Sequence, residues 1–290
     1  MKAAPFTYHR PGKLEEALDI LSRVAGQDGR IIAGGQSLVP MMALRLAQPA
    51  HLVDINEIAS LRGTGVERQT LVIRALARHA DFHQPALTGP LGPLLATVAQ
   101  NIAHYPIRQR GTFCGSLAHA DPASEWCLAA VTLGGTVIAR RRGGAREIPA
   151  GEFIQGPLTT TLEPDEMISA VHLPVPDQTG RFGFYEFNRR AGDFAPAMSL
   201  VTFTVQDETV TQVRLGVGGA EETPRRLSQV EEALNNKPLT DAQIRMASEL
   251  AASLITPLED ALIPQDYRRQ IVKTAVRRAL EAAQGSRHGQ

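Results

Sequence analysis

The stretch Arg30-Ile31-Ile32-Ala33-Gly34-Gly35-Gln36-Ser37-Leu38-Val39-Pro40 decides how the chain is read. A short apolar run, expected as a buried strand, is broken at once by two glycines. Ser37 then opens a helical pattern through about residue 46, with Pro40 tolerated in its first turn. Glycines without a Cβ let a backbone approach a bulky anion, and the N–H groups at the following helix start point towards it. Gln36 and the Ser37 hydroxyl add donors. The alternative is a tight turn with Ser37 as an ordinary helix cap. Outward from this stretch, Leu14, Ala17, Leu18, Leu21 and Val24 have the spacing of a helix over 13–25 with one buried stripe. His51-Leu52-Val53-Asp54-Ile55 reads as another strand, which gives an α/β subdomain ending near residue 58.

The next segment carries a strand pattern at 70–76, a helical one at 91–103, a Gly-rich loop at 110–116 and a helix over about 123–133. A strand at 136–140 precedes a hairpin turn at Arg141-Arg142-Gly143-Gly144. Arg110-Gly111-Thr112-Phe113-Cys114-Gly115-Ser116 again joins glycines to hydroxyls and a guanidinium. Two such loops in one α/β region suggest a ligand with two linked phosphates, a dinucleotide. Glu125, in the first turn of the next helix, either complements the helix dipole or accepts hydrogen bonds from a ribose. Val171-His172-Leu173-Pro174-Val175-Pro176 is a proline-punctuated exit and the expected domain boundary. Beyond it, 200–205 and 209–217 alternate as strands, and 240–255 and 265–283 are helical, which suggests a separate α+β domain. The tail after Gly285 is expected to fray.

The chain has 290 residues, 43% of them hydrophobic and 21% charged, which excludes a disordered chain or a collagen-like fibre. Lys+Arg 30 balances Asp+Glu 30, so there is no general attraction for nucleic acid or an anionic membrane. Cys114 and Cys127 are too few to ligate an iron–sulfur cluster or a structural zinc alone. With neither a signal-like apolar stretch at the N-terminus nor a run long enough to span a bilayer, a cytoplasmic protein is expected.

Other constellations compete. Gly35-x-Ser37 is half a nucleophile elbow, but Val39 stands where its last glycine belongs. Ser116, His119 and Asp121 are triad residue types, yet three members within six residues do not easily align. His79 and His83 have chelating spacing if helical, without a third ligand or the Glu of an H-E-x-x-H helix; an N-terminal helical turn is the stronger reading. Gly216-Val217-Gly218-Gly219-Ala220-Glu221 mimics a dinucleotide fingerprint but lacks its last glycine.

Three ordered motifs then carry a resemblance. Ala33-Gly34-Gly35-Gln36-Ser37-Leu38-Val39-Pro40, with Arg45-Leu46 and Leu52-Val53-Asp54-Ile55, resembles the first flavin motif of the FAD-binding medium subunits of molybdenum hydroxylases, the family of carbon monoxide dehydrogenase, quinoline oxidoreductase and xanthine dehydrogenase. Thr112-Phe113-Cys114-Gly115-Ser116-Leu117-Ala118-His119-Ala120-Asp121-Pro122 is similar to the family's T-I-G-G-N/S segment, and Arg189-Arg190-Ala191-Gly192-Asp193-Phe194-Ala195 to its R-R-x-G-D-Y-A segment near the isoalloxazine.

The resemblance implies an α+β protein: a vanillyl-alcohol-oxidase-type two-subdomain FAD fold (1–58 and 59–176) with a C-terminal flavoprotein domain (177–290). It implies FAD on Ile32, Ala33, Gly34, Gly35, Gln36, Ser37 and Leu38 from the first motif. From the second it implies Arg110, Thr112, Cys114, Gly115, Ser116, Ala118 and Asp121, with Glu125 near the adenosine ribose, Ile102 at the flavin, and Asp193 and Phe194 beside it. Cys114 replaces a family glycine and Phe194 the commoner Tyr. At Cys114 the alternatives are a strained backbone and a thiol packed against the flavin diphosphate, and packing is expected to dominate.

The implied function is electron transfer. FAD takes electrons from an iron–sulfur small subunit, which drains a molybdopterin large subunit, and passes them to an external acceptor; the assembly is a dimer of heterotrimers. Molybdopterin and [2Fe-2S] clusters belong to the partners, and no residue of this chain is expected to be catalytic or to bind a metal. Gln36 in its motif is reminiscent of enzymes acting on N-heterocyclic aromatics. The rival is a stand-alone flavin oxidase acting on a small alcohol, with Cys114 or His119 as a covalent tether; an assembly scaffold with an empty dinucleotide site is the non-enzymatic alternative.

Overall fold

A computed structural model of the chain describes residues 2–85, 87–176, 180–260 and 263–285. The segment after Gly285, where fraying is expected, and the residues that follow Pro176 at the expected boundary lie outside the described residues.

The first layer is a parallel sheet of β1 (Thr7–His9), β2 (Gly29–Ile32) and β3 (His51–Asp54), in the order β1-β3-β2. The crossover between β1 and β2 is α1 (Leu14–Val24), whose stripe of Ala17, Leu18, Leu21 and Val24 is buried. Glu15 and Glu16 in its first turn and Arg23 in its last complement the helix dipole. The helix after Ser37 is shorter than its pattern suggests: α2 is Leu38–Ala43, and Arg45 at φ 58° turns the chain out of it. β1 is absent from the sequence reading because three residues, two exposed and one partly buried, carry no periodic signal.

The second sheet is antiparallel. It uses β4 (Thr64–Glu67), β5 (Thr70–Arg74), β6 (Thr136–Arg141), β7 (Gly144–Pro149) and β10 (Met167–Pro174), ordered β4-β5-β10-β6-β7. Between β5 and β6 run α3 (Leu91–Asn101), α4 (Tyr105–Arg108), α5 (Phe113–His119) and α6 (Glu125–Leu133). Between β7 and β10 lie α7 (Ala150–Phe153) and a small hairpin of β8 (Ile154–Gly156) and β9 (Thr159–Thr160). The proline-punctuated stretch at 171–176 is therefore mostly a central strand, with Val171 and Leu173 fully buried and Pro174 at its end. Pro174 is tolerated there because an N–H is dispensable at a strand end.

The third sheet, β11 (Gly180–Phe187), β12 (Ala197–Gln206), β13 (Thr209–Gly218) and β14 (Arg225–Arg226), is an antiparallel meander. The following helices are α8 (Ser228–Leu234), α9 (Asp241–Leu254) and α10 (Gln265–Gly285). β12 shows how the sheet is used. Ala197, Val201 and Phe203 join the core under α9 and α10, while Met198 and Leu200 join the core around α6. Both faces are buried, which ties this sheet to the second layer. Mixed helix and strand content makes the whole an α+β protein. Among the described residues, no helix is long and apolar enough to cross a membrane.

Candidate functional site

The two glycine loops expected to bind phosphate meet. A Cβ at Gly34 would collide with the Arg110 carbonyl and the Gly111 Cα, so the first loop lies backbone to backbone on the second. Gly35 is at φ +72°, a conformation that side chains strain to adopt, and its Cβ would sit 3.1 Å from a Val39 methyl. Gln36 donates from Nε2 to the Gly34 carbonyl at 3.0 Å, which tightens the turn. Ser37 occupies the cap position of α2 without a side-chain cap bond, so its hydroxyl is not spent as the ordinary-cap reading requires. The backbone N–H groups of Gln36 and Ser37 donate to no carbonyl among the described residues. Ile32, Ala33 and Leu38 flank the turn and are half-buried.

The second loop is shorter than read from sequence, since the chain is already helical from Phe113. Thr112 caps α5 through Oγ1, which accepts from the Gly115 N–H at 3.0 Å, and a Cβ at Gly115 would stand 2.6 Å from that oxygen. Gly115 is thus a small residue that the cap requires. Ser116 is half-buried, while Arg110 and Ala118 are exposed at the ends of the segment. Cys114 has an ordinary helical backbone, so the strained alternative does not hold. Its thiol does not face the loop either. It is 3% exposed and reaches the Ile73 carbonyl of β5 at 3.6 Å, and burial pushes its pKa well up. The packing is real but belongs to the core, which leaves Cys114 only its backbone to offer a ligand.

Ile102, expected at the flavin, ends α3 and is buried. Arg108 donates to the Ile102 carbonyl at 2.8 Å and the Ala103 carbonyl at 3.0 Å, pinning this turn beside the second loop. The third motif arrives from the other side. Gly192, at φ +86°, has no room for a Cβ because the His104 imidazole stands 2.6 Å from where it would be. Asp193 donates its N–H to the Arg190 carbonyl at 3.0 Å, and Phe194 is 73% exposed, a large apolar ring facing outward at the end of the cluster.

Glu125, in the first turn of α6, has an acidic companion that the sequence reading misses. Burial, then the charge of Glu125, raises the pKa of Glu186 on β11 to about 8; burial raises that of Glu125 to about 7, with Asp121 contributing. Glu186 Oε1 accepts from Asn188 Nδ2 at 2.8 Å, but Oε2 is buried with no hydrogen-bond partner. A buried acceptor without a donor costs free energy unless something supplies one. Asp121 accepts from the Ala123 N–H at 2.8 Å, closing the turn that leads into α6. The signal for Glu186 was a carboxylate among the aromatic residues Phe182, Phe184, Tyr185 and Phe187 just ahead of the third motif.

Two distractors resolve into packing. His79 is 4% exposed, accepts the Trp126 indole N–H at Nδ1 (2.9 Å), and lies against Gly111, which has no room for a Cβ; burial lowers its pKa to about 4. It is a neutral strut under the second loop, in a short 3-10 turn (His79–Phe82) that ends at His83. Gly216 and Gly218 lie on β13 where α6 crosses the sheet. Thr132 Oγ1 occupies the space of a Gly216 Cβ, so these glycines serve helix–sheet contact.

A site of touching glycine loops, unengaged N–H groups and an orphaned carboxyl oxygen fits a dinucleotide with ribose or ribityl hydroxyls. Comparison with known proteins agrees. Residues 4–176 match the family model described as the FAD binding domain in molybdopterin dehydrogenase, and residues 182–283 match the CO dehydrogenase flavoprotein C-terminal domain. The chain is 36% identical to the nicotine 6-hydroxylase medium subunit of Paenarthrobacter nicotinovorans, covering 98% of this chain and 99% of the relative. It is 33% identical to the carbon monoxide dehydrogenase medium chain of Hydrogenophaga pseudoflava, covering 96% of each. Among solved structures, carbon monoxide dehydrogenase from H. pseudoflava superposes with a TM-score of 0.93 at 34% identity, over 98% of this chain and 99% of that one. Quinoline 2-oxidoreductase from Pseudomonas putida 86 superposes with a TM-score of 0.91 at 33% identity, over 99% of each chain. The chain belongs to the FAD-binding medium-subunit family of molybdenum-containing dehydrogenases and is an oxidoreductase subunit whose cofactor is FAD.

Proposed function

We propose that the chain is the electron-transfer flavoprotein of a molybdenum hydroxylase, receiving electrons from an iron–sulfur subunit and passing them to an external acceptor. The observation that carries this reading is the backbone contact between Gly34 and Arg110, which makes one anion-binding surface out of two loops from different parts of the chain. Gly34 to Ser37 and Thr112 to Ser116 would hold the diphosphate. Glu125 and Glu186 would take the hydroxyls of the sugar or ribityl chain, and Ile102, Asp193 and Phe194 would flank the ring. FAD bound there supplies the redox chemistry, accepting and releasing electrons. The chain itself binds, orients and partly buries the cofactor, and no side chain is needed as acid or base for electrons to enter.

In this reading residues 1–58 and 59–176 form a two-subdomain FAD unit of the vanillyl-alcohol-oxidase type, and 177–290 a flavoprotein domain behind it. The protein works in the cytoplasm within a dimer of heterotrimers, beside an iron–sulfur small subunit and a molybdopterin large subunit. The names of the relatives support such an assembly, since they are medium subunits. The substrate pocket then lies on another polypeptide. The oxidase rival loses one of its tethers, because the Cys114 thiol is buried against β5. The test is reconstitution: the full chain alone should not oxidise the substrate of its complex with an artificial dye, and adding both partner subunits should restore turnover. Substrate-dependent dye reduction by the single chain would favour the oxidase.

A further inference from the structure

Leu52-Val53-Asp54-Ile55 belongs to the first motif, yet none of its side chains is expected to reach a ligand. The structure gives Asp54 another task. Its Oδ1 accepts from the backbone N–H of Asn56 at 2.8 Å and from Asn56 Nδ2 at 2.6 Å, while Oδ2 accepts from the Tyr8 hydroxyl at 2.5 Å. Asn56 Nδ2 also donates to the Ala33 carbonyl at 2.7 Å, at the head of the first glycine loop. Asn56 Oδ1 accepts from Arg78 Nη2 at 2.6 Å, and Arg78 Nη1 donates to the Arg110 carbonyl, at the head of the second loop. One chain of hydrogen bonds therefore runs from Ala33 through Asn56 and Arg78 to Arg110, between the loops that meet at Gly34.

We propose that Arg78 and Asn56, held by Asp54, are positioning residues that brace the two glycine loops at the spacing a dinucleotide diphosphate requires. The proposal rests on the FAD reading of the same loops and adds residues that no motif match assigns. The residue types suit the task. A planar guanidinium presents donors in a fixed fork and reaches two acceptors at once, which a lysine ammonium on its flexible stem does not reproduce. The Asn amide donates from one end and accepts at the other, so it passes the constraint along without charge. Its orientation is set, because Asp54 and the Ala33 carbonyl both demand a donor and Arg78 an acceptor. The backbone beside Arg78 is fixed as well: its own N–H donates to Asp81 Oδ2 at 2.8 Å, and the neighbouring His79 N–H donates to the Gly111 carbonyl at 3.0 Å. Arg78 is half-buried and so is Asn56, which protects the bonds between them from water.

The test uses the full-length chain stripped of flavin, with fluorescence titration by FAD, calorimetric titration by ADP, and the melting temperature of each apoprotein. Arg78→Lys keeps the charge and removes the fork; Asn56→Leu keeps the volume and removes the relay. Each should weaken FAD and ADP by the same factor, at least tenfold, and the double variant should be no weaker than the poorer single one within threefold, because the two residues act as a unit. Rescue by lysine would mean that charge alone matters and would overturn the proposal. Losses that multiply in the double variant, or a loss confined to FAD, would overturn it too. Wild-type protein that binds neither FAD nor ADP would instead overturn the nucleotide reading beneath it. Two variants on separate segments keep the test open if one of them fails to fold.

Discussion

The Cα of Gly34 lies against the carbonyl of Arg110, so the two glycine loops touch without a side chain between them. A methyl group has no place in that contact. Gly34→Ala should separate the loops, destabilise the protein by about 1–3 kcal/mol as an overpacked site, and lower FAD affinity at least tenfold. Gly35→Val introduces a branched side chain at φ +72°, costing about 1–2 kcal/mol of backbone strain, and should also strip most of the flavin. The flavin-to-protein absorbance ratio and far-UV circular dichroism check both; stoichiometric flavin in either variant would contradict the site.

Cys114 tests where the departure from the family pattern is felt. Its thiol packs in the core against β5, so Cys114→Gly removes buried volume and places glycine in a helix. The expected cost is about 1–3 kcal/mol in denaturant unfolding, with weaker FAD binding from a looser α5. Burial raises the thiol pKa of Cys127 to about 12 and that of Cys114 further, so neither should react with a thiol reagent until the protein unfolds. Fast labelling of the native protein, or a tighter flavin complex in the glycine variant, would refute this placement.

Glu186 sets a pH dependence with a definite sign. Its pKa is raised from 4.5 to about 8 by burial and then by Glu125. Below the ordinary carboxyl range both folded and unfolded forms are protonated and nothing is lost. As pH rises towards 8 the unfolded chain ionises first, so the apoprotein loses stability across that window. Glu186→Gln removes the penalty. It should stabilise apoprotein at pH 8 by on the order of 2 kcal/mol and be neutral near pH 4.5. Thermal melts at the two pH values decide it, and an equal effect at both would show that the carboxyl is not held neutral.

His79 should matter through Trp126, the chain's single tryptophan. His79→Leu leaves a buried indole N–H without an acceptor and should cost about 1–3 kcal/mol, whereas His79→Gln restores part of it. With a folded pKa of about 4 against 6.5, the histidine opposes folding increasingly as pH falls between those values, in the positive field of Arg78 and Arg108 and beside His83. Unfolding followed by Trp126 fluorescence between pH 7 and 4 should show this acid limb in wild type and not in the leucine variant.

Local signals were the legible ones. α1 and α10 advertise their buried stripes, β12 and β13 their alternation, and the Gly34-Gly35 and Gly111–Gly115 segments their freedom from Cβ atoms. What could not be read depends on partners distant in the chain. Arg78 sits in a stretch with no motif, and its role exists only because folding brings Asn56 and Arg110 to its two ends. Glu186 acquires its character from burial and then from the charge of Glu125 on α6, far away in sequence. Gly216 and Gly218 show the reverse error, a local pattern of phosphate-binding type whose cause is the close crossing of α6.

The decisive property of this chain is that it holds FAD non-covalently on the surface formed by its two touching glycine loops. Acid precipitation of the natively purified full-length protein, followed by the absorption spectrum and chromatography of the supernatant, measures it directly. About one FAD per chain should be released into the supernatant, leaving a colourless pellet. Flavin retained in the pellet, or a native protein without a flavin spectrum, would contradict it.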